Sequence, residues 1–342
     1  MVWKGLGTTG FIFLSMLLLG GCAGFEQKIF DWGVSYERYR ADLSYGTVRL
    51  DKETSIAFLE RKGEGETIVL VHGFGANKDT WDIFIRYLPE KFHVLVIDLP
   101  GHGDSSRHMH VSYDIQYMAD ALSRTVDTVG VRRFHLAGHS LGGYVAMYYA
   151  AGNPGKVVTL GLFASGGILA PKPTAFQRTP EEGKYPMSVD SAESFDRMMG
   201  LIFYNKPFIP WPVRSVVLRQ TIALNAFEEK MWRDIWKTHP DGQNLLKQLH
   251  MPVFLLWGDQ DRIMDVSCVK VYRKYLPQAK TAIIKDCGHA LIFERPKEAA
   301  RLYARFLKEE ASTGNSCKDN LTFLTPDMGS GRPRRVGTGI FR

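Results

Sequence analysis

The residues Phe134-His135-Leu136-Ala137-Gly138-His139-Ser140-Leu141-Gly142-Gly143 constrain this chain more than any other stretch. They open as a short apolar run of strand type and lead straight into residues 144–151, which have helical character. Between the two sits Gly138-His139-Ser140-Leu141-Gly142. A serine on so sharp a strand-to-helix turn is held in a strained backbone conformation, with its hydroxyl pushed out above the sheet edge. Glycines are needed two residues before and two after it, because a side chain at either place would collide with the neighbouring strand or helix. The N–H groups that follow open a helix and point at whatever the serine attacks. Five residues of this kind also fit a plain Gly-rich strand–helix junction. The rest of the chain has to decide.

Strands and helices alternate on both sides of the turn. The pattern predicts antiparallel strands at 48–50 and 56–59, then a buried strand at 67–71 and a helix at 79–88. A strand at 92–97, a helix at 113–129 and a strand at 157–163 follow. Such alternation predicts an α/β fold: a mostly parallel sheet with helices on both faces. From residue 169 to 250 the rhythm breaks. Prolines accumulate, no strand pattern appears, and helices are predicted near 191–204, 213–224 and 226–237. We read this segment as an inserted helical cap. Most of its apolar residues, among them Phe195, Met198, Phe203 and Trp211, fasten it to the core; the rest roof a substrate site. Alternation resumes with a strand at 253–257, a helix at 266–275, a strand at 281–284 and a closing helix at 296–308.

The length of 342 residues suits one large domain, or one domain with an insertion. The net charge of +7 is spread along the chain and does not interleave with aromatics, which argues against nucleic-acid binding. It leaves either mild attraction to an anionic membrane or ordinary surface composition. The four cysteines, Cys22, Cys268, Cys287 and Cys317, contain no C-x-x-C pair, so a zinc or redox motif is not expected. Proximity of Cys268 and Cys287 stays open at this level.

Residues 1–21 have the form of an export signal. Lys4 is the only charge, and the apolar core at 11–19 is too short to span a bilayer comfortably. Leu19-Gly20-Gly21-Cys22 resembles the lipobox of bacterial lipoproteins. That resemblance implies cleavage before Cys22 and lipid attachment to it. Ala23, in place of Asp, implies sorting to the outer membrane. A plain membrane anchor or an uncleaved helix accommodates the same residues. In each case the body sits beside a membrane in the cell envelope, facing periplasm or surface. Residues 22–45 form an anchor or linker helix, with Ile29, Trp32, Tyr36 and Tyr39 at helical spacing and expected to pack. The resulting plan is a signal at 1–21, this helix at 22–45, a core at 46–168, the cap at 169–250, more core at 251–310, and a tail at 311–342 with a disordered composition.

A serine hydroxyl is a poor nucleophile at neutral pH; it needs a base and a group that orients the base. In this sheet type those partners leave the carboxyl ends of later strands, in the order serine, acid, histidine. Asp261 follows the strand at 253–257, and His289 follows the strand at 281–284. Asp259 and Asp265 are rivals to Asp261. His72-Gly73-Phe74-Gly75, just after the strand at 67–71, is placed to aim the Phe74 N–H at an oxyanion together with that of Leu141. No metal or cofactor is called for.

Gly138-His139-Ser140-Leu141-Gly142, His72-Gly73-Phe74-Gly75, Trp257-Gly258-Asp259-Gln260-Asp261 and Cys287-Gly288-His289 together resemble the α/β-hydrolase superfamily over residues 67–307. Leu99-Pro100-Gly101-His102-Gly103 and Phe293-Glu294-Arg295-Pro296 narrow the likeness. They are similar to membrane-bound monoacylglycerol lipases of the abhydrolase-domain type and to cold-adapted lipases of Moraxella and Psychrobacter. The resemblance implies a serine carboxylic-ester hydrolase that acts on acylglycerols or related lipid esters through an acyl-enzyme. No obligate protein partner is implied. Within the superfamily, dehalogenases and epoxide hydrolases need a carboxylate where Ser140 stands. C–C bond hydrolases keep the same three residues and remain an alternative, as does a non-catalytic lipid-binding protein.

Overall fold

The computed structural model describes the backbone of residues 8–178, 185–237 and 241–321, and side chains within these from residue 24 to 312. The chain starts with the helix α1 (Thr8–Arg40). Eight strands then build one sheet: β1 (Ser44–Arg49), β2 (Ser55–Arg61), β3 (Thr67–Val71), β4 (His93–Ile97), β5 (Phe134–His139), β6 (Val157–Phe163), β7 (Val253–Gly258) and β8 (Lys280–Ile284). Their spatial order is β1-β2-β4-β3-β5-β6-β7-β8. β1 and β2 pair antiparallel, as do β2 and β4, and every later pairing is parallel.

The register determines where chemistry is possible. Val71 lies beside Ile97 and Gly138, His139 beside Phe163, and Gly258 beside Ile284. The carboxyl ends of β3 to β8 therefore open onto one edge, where α/β sheets bind ligands. Ile68, Val69, Leu70 and Val71 are wholly buried, the condition of a parallel strand covered on both faces. The helices that cover the sheet are the short α2 (Asp82–Ile85), α3 (Ile115–Thr128) and α4 (Leu141–Gly152). Between β6 and β7 come α5 (Ala175–Arg178), α6 (Ala192–Ile202), α7 (Trp211–Lys237) and α8 (Gly242–Leu246), and no strand among the described residues there. The chain closes with α9 (Cys268–Tyr275), α10 (Leu291–Glu294) and α11 (Pro296–Leu321).

Several local expectations change. The helix expected at 79–88 is a 3₁₀ turn, Lys78–Trp81, followed by the four-residue α2; the Asn77 side chain caps the turn by accepting from the Asp79 N–H. The two helices expected at 213–224 and 226–237 are one, α7. Asn225 does not break it, because its side-chain oxygen accepts the Val189 N–H instead of competing for its own backbone. α11 continues past residue 311 to Leu321, carried by the strong helix formers Lys308-Glu309-Glu310-Ala311. The stripe on α1 does not pack as expected. Trp32, Tyr36 and Tyr39 are 69%, 44% and 82% exposed. The helix is held by ion pairs instead: Glu26 with Arg219, Glu37 with Arg86, and Arg38 with Asp79. Among the described residues no helix is long and apolar enough to cross a membrane. The side chains of Cys22, of the rest of the proposed signal and of Cys317 lie outside the described residues, as do residues 1–7 and the tail from 322 onward altogether. Cys268 and Cys287 are buried and unpaired.

Candidate active site

Ser140 ends β5 and caps α4 with φ 54° and ψ −118°, a conformation that costs a non-glycine residue of order 1–3 kcal/mol. The surroundings impose it. The Ser140 N–H donates to the Phe163 carbonyl at 2.9 Å, and its own carbonyl accepts from the N–H groups of Gly143, Tyr144 and Gly166. A Cβ on Gly138 would strike the Gly142 carbonyl, and one on Gly142 would strike the carbonyls of Val71 and His72. These two glycines let the turn close against the next strand.

Asp261 and His289 come from the loops after β7 and β8. The Asp261 side chain is completely buried. Its Oδ1 accepts from the N–H groups of Ile263 at 2.8 Å and Met264 at 2.9 Å, and its Oδ2 meets His289 Nδ1 at 2.9 Å. A carboxylate oxygen only accepts, so Nδ1 carries the proton and donates. Nε2 is the nitrogen left for the cavity that Ser140 and His289 both line. Among the described residues no hydrogen bond joins the Ser140 hydroxyl to His289; such bonds commonly tighten only around substrate. Asp259 and Asp265 are directed elsewhere, to the N–H groups of Cys287 and Ser267.

The Phe74 and Leu141 N–H groups donate to no partner among the described residues. Both residues line the cavity with Ser140. Pre-oriented, unspent donors beside a serine are what a tetrahedral oxyanion requires.

Two histidines hold this arrangement, and sequence reasoning gave them only a place. The Leu99 N–H donates to His72 Nε2 at 3.0 Å, so His72 is protonated on Nδ1 and donates to the Gly73 carbonyl at 2.7 Å. That bond fixes the turn carrying Phe74. Burial pushes the His72 imidazole down to about 4, keeping it neutral. His139 Nε2 donates to the His289 backbone carbonyl at 2.8 Å, and the two rings lie 4.8 Å apart. Burial first, and the neighbouring His289 second, push His139 down to about 3. Below the turn, fully buried Asp98 receives the Lys78 ammonium at 2.9 Å and the N–H groups of Lys78 at 2.6 Å and Asp104 at 2.9 Å. This ties the loop after β3 to the loop after β4. An aspartate directly after an apolar strand was the only signal of it in the sequence.

The cavity has a volume of about 2120 Å³. It runs from Phe30 and Val34 of α1, over Ser140, to Met198, Phe203 and Val213 of the cap. The space is larger than the roughly 300–1,000 Å³ of ordinary small-ligand sites. It suits a long apolar molecule.

Residues 66–296 match the family described as alpha/beta hydrolase fold. Lipase 1 of Psychrobacter immobilis is 30% identical over 82% of this chain and 88% of its own. The monoacylglycerol lipase abhd6-B of Xenopus laevis is 29% identical over 75% of this chain and 80% of its own. Among solved structures, a bacterial membrane phospholipase A superposes with a TM-score of 0.82 at 34% identity, covering 89% of this chain and 99% of that one.

Proposed function

The chain belongs to the alpha/beta hydrolase fold family, and from that premise we propose that it is a serine carboxylic-ester hydrolase, a lipase or esterase cleaving acylglycerols or related lipid esters at a membrane. Ser140 is the nucleophile. His289 takes its proton through Nε2 and returns it to the leaving alcohol. Asp261 holds the imidazole in the Nδ1–H tautomer and stabilises the imidazolium. The N–H groups of Phe74 and Leu141 receive the oxyanion, and water attacking the resulting acyl-enzyme completes the cycle. The observation that carries this reading is the buried His289–Asp261 hydrogen bond at 2.9 Å beside a serine held at φ 54°. The relatives named for lipase activity and the apolar cavity support a lipid ester as the substrate.

Membrane attachment is part of the same proposal. The exposed Trp32, Tyr36 and Tyr39 on α1 follow an apolar N-terminal segment, the placement aromatic side chains take at a bilayer interface. Cys22 is the proposed point of lipid attachment, with the outer membrane as destination. Cys22→Ser should move the protein to the soluble fraction; retention in membranes would count against lipidation.

Hydrolysis of p-nitrophenyl esters of graded chain length tests the chemistry, with Ser140→Ala as the control. The variant should lose activity by several orders of magnitude. Undiminished hydrolysis by it would refute the mechanism. Turnover of a ring-cleavage diketone with esters untouched would assign C–C bond hydrolysis instead.

A further inference from the structure

Glu228 on α7 has no task in the reaction as described, yet it is 7% exposed at the wall of the catalytic cavity. Its Oε2 accepts the Tyr185 hydroxyl proton at 2.9 Å. Among the described residues Oε1 has no hydrogen-bond partner, and no cation lies in ion-pair contact. A carboxyl buried in this way costs stability unless something else uses it. Gln177, also buried at this wall, is different: its amide serves the Thr174 N–H and the Ile168 carbonyl.

The position of Glu228 is informative. A Cβ built on Gly73 would lie 3.2 Å from Ser140 Cβ, and one on Gly75 would lie 3.2 Å from Glu228 Oε1. The turn that carries Phe74 thus has the serine against one end and the carboxyl against the other. Its end residues are at most about 7 Å apart between Cα atoms. Ser140 and Glu228 line the same cavity, on either side of this turn.

A purely structural bond is a weak account of this pair. The segment around Tyr185 is already fastened to α7 by the Val189 N–H on Asn225 and by Ser188 on Glu229. The Tyr185 hydroxyl spends its proton on Glu228 and keeps lone pairs to accept. Glu228 Oε1 also accepts. Arg107 lines the same cavity and its charge reaches Glu228, but it makes no ion pair with the carboxyl. Two acceptors side by side suit two neighbouring hydroxyl donors.

We propose that Glu228 and Tyr185 form a polar subsite for a neutral diol in the alcohol portion of the ester, so that glyceryl esters are preferred to simple alkyl esters. The proposal rests on the ester-hydrolase reading above. Its test is the ratio of kcat/KM for glyceryl monobutyrate to that for ethyl butyrate, measured in wild type, Glu228→Leu and Tyr185→Phe. Each substitution should lower the ratio about tenfold, the scale of one lost hydrogen bond. A ratio within twofold of wild type in both variants overturns the subsite while leaving the hydrolase intact. Should Glu228→Leu not fold, Tyr185→Phe alone decides. Wild-type protein inert toward both esters overturns the ester-hydrolase reading, and the subsite with it.

Discussion

Replacing Asp261 by Asn exchanges one oxygen for an NH₂ group and leaves the shape of the side chain unchanged. The surroundings dictate which way the amide turns. Oδ1 accepts two backbone N–H groups, from Ile263 and Met264. Turning the NH₂ toward them would set donor against donor. The oxygen therefore stays with the backbone, and the NH₂ faces His289 Nδ1. Nδ1 must then accept, which moves the imidazole proton to Nε2, the nitrogen that has to receive the serine proton. Restoring the working tautomer requires a flipped amide and strands two N–H groups, that of Ile263 buried and that of Met264 partly so, at about 1–3 kcal/mol each, or about 2–6 kcal/mol in total. At 1.36 kcal/mol per decade, kcat falls by between about 30-fold and about 3 × 10⁴-fold. Loss of the charge that stabilises the imidazolium adds to this. Because the backbone bonds survive, the urea midpoint should move by less than about 1 kcal/mol. The assay is p-nitrophenyl butyrate hydrolysis at saturating substrate, paired with urea unfolding. A kcat within fivefold of wild type in a normally folded Asp261→Asn protein would refute the assignment. The same change at Asp259, which does not touch His289, should leave most of the activity.

Ser140→Gly should abolish hydrolysis yet stabilise the fold by about 1 kcal/mol. Relief of the strain at φ 54° outweighs the greater chain entropy of glycine, and an unchanged or lower urea midpoint would argue that the turn stores no strain. Gly142→Ala forces a Cβ into backbone carbonyls that cannot retreat; a loss of about 3 kcal/mol or more, or failure to fold, is expected from urea titration. Asp82 is buried with one carboxylate oxygen unpartnered among the described residues. Burial, then the charge of Asp79, push its carboxyl up to about 8. Its folded value lies above the unfolded one, so its contribution is full below about pH 4 and is lost as pH rises through about 8. Asp82→Asn should therefore gain on wild type by up to about 1.4 kcal/mol per pH unit across that window. Urea midpoints near pH 5 and pH 8.5 test this, and a difference that does not change with pH would refute it.

Most of the fold could be read from the chain because its cues are local. The buried strands are continuous apolar runs, and a residue flanked by a strand and a helix has one edge of the sheet to emerge from. The errors arose where a distant partner overrode a local tendency. Asn225 is a poor residue for a helix interior until Val189 engages its side chain. The aromatic stripe of α1 has the periodicity of a packing face, but ion pairs on another side of the helix hold it and leave Trp32 and Tyr39 exposed.

By itself the sequence determined the alternation of strands and helices, the place of Ser140 on its turn, and the order in which Ser140, Asp261 and His289 follow the strands. These depend on neighbours a few residues away and on the handedness of strand–helix–strand connections. Only the tertiary structure decided which carboxylate faces His289, since Asp259, Asp261 and Asp265 are alike until their hydrogen bonds are known. It also decided the protonation pattern of His72 and His139, and it set Glu228 beside Gly75 across 153 residues of chain. Hydrogen bonds and burial depend on which atoms meet, and for these residues the partners are remote in sequence.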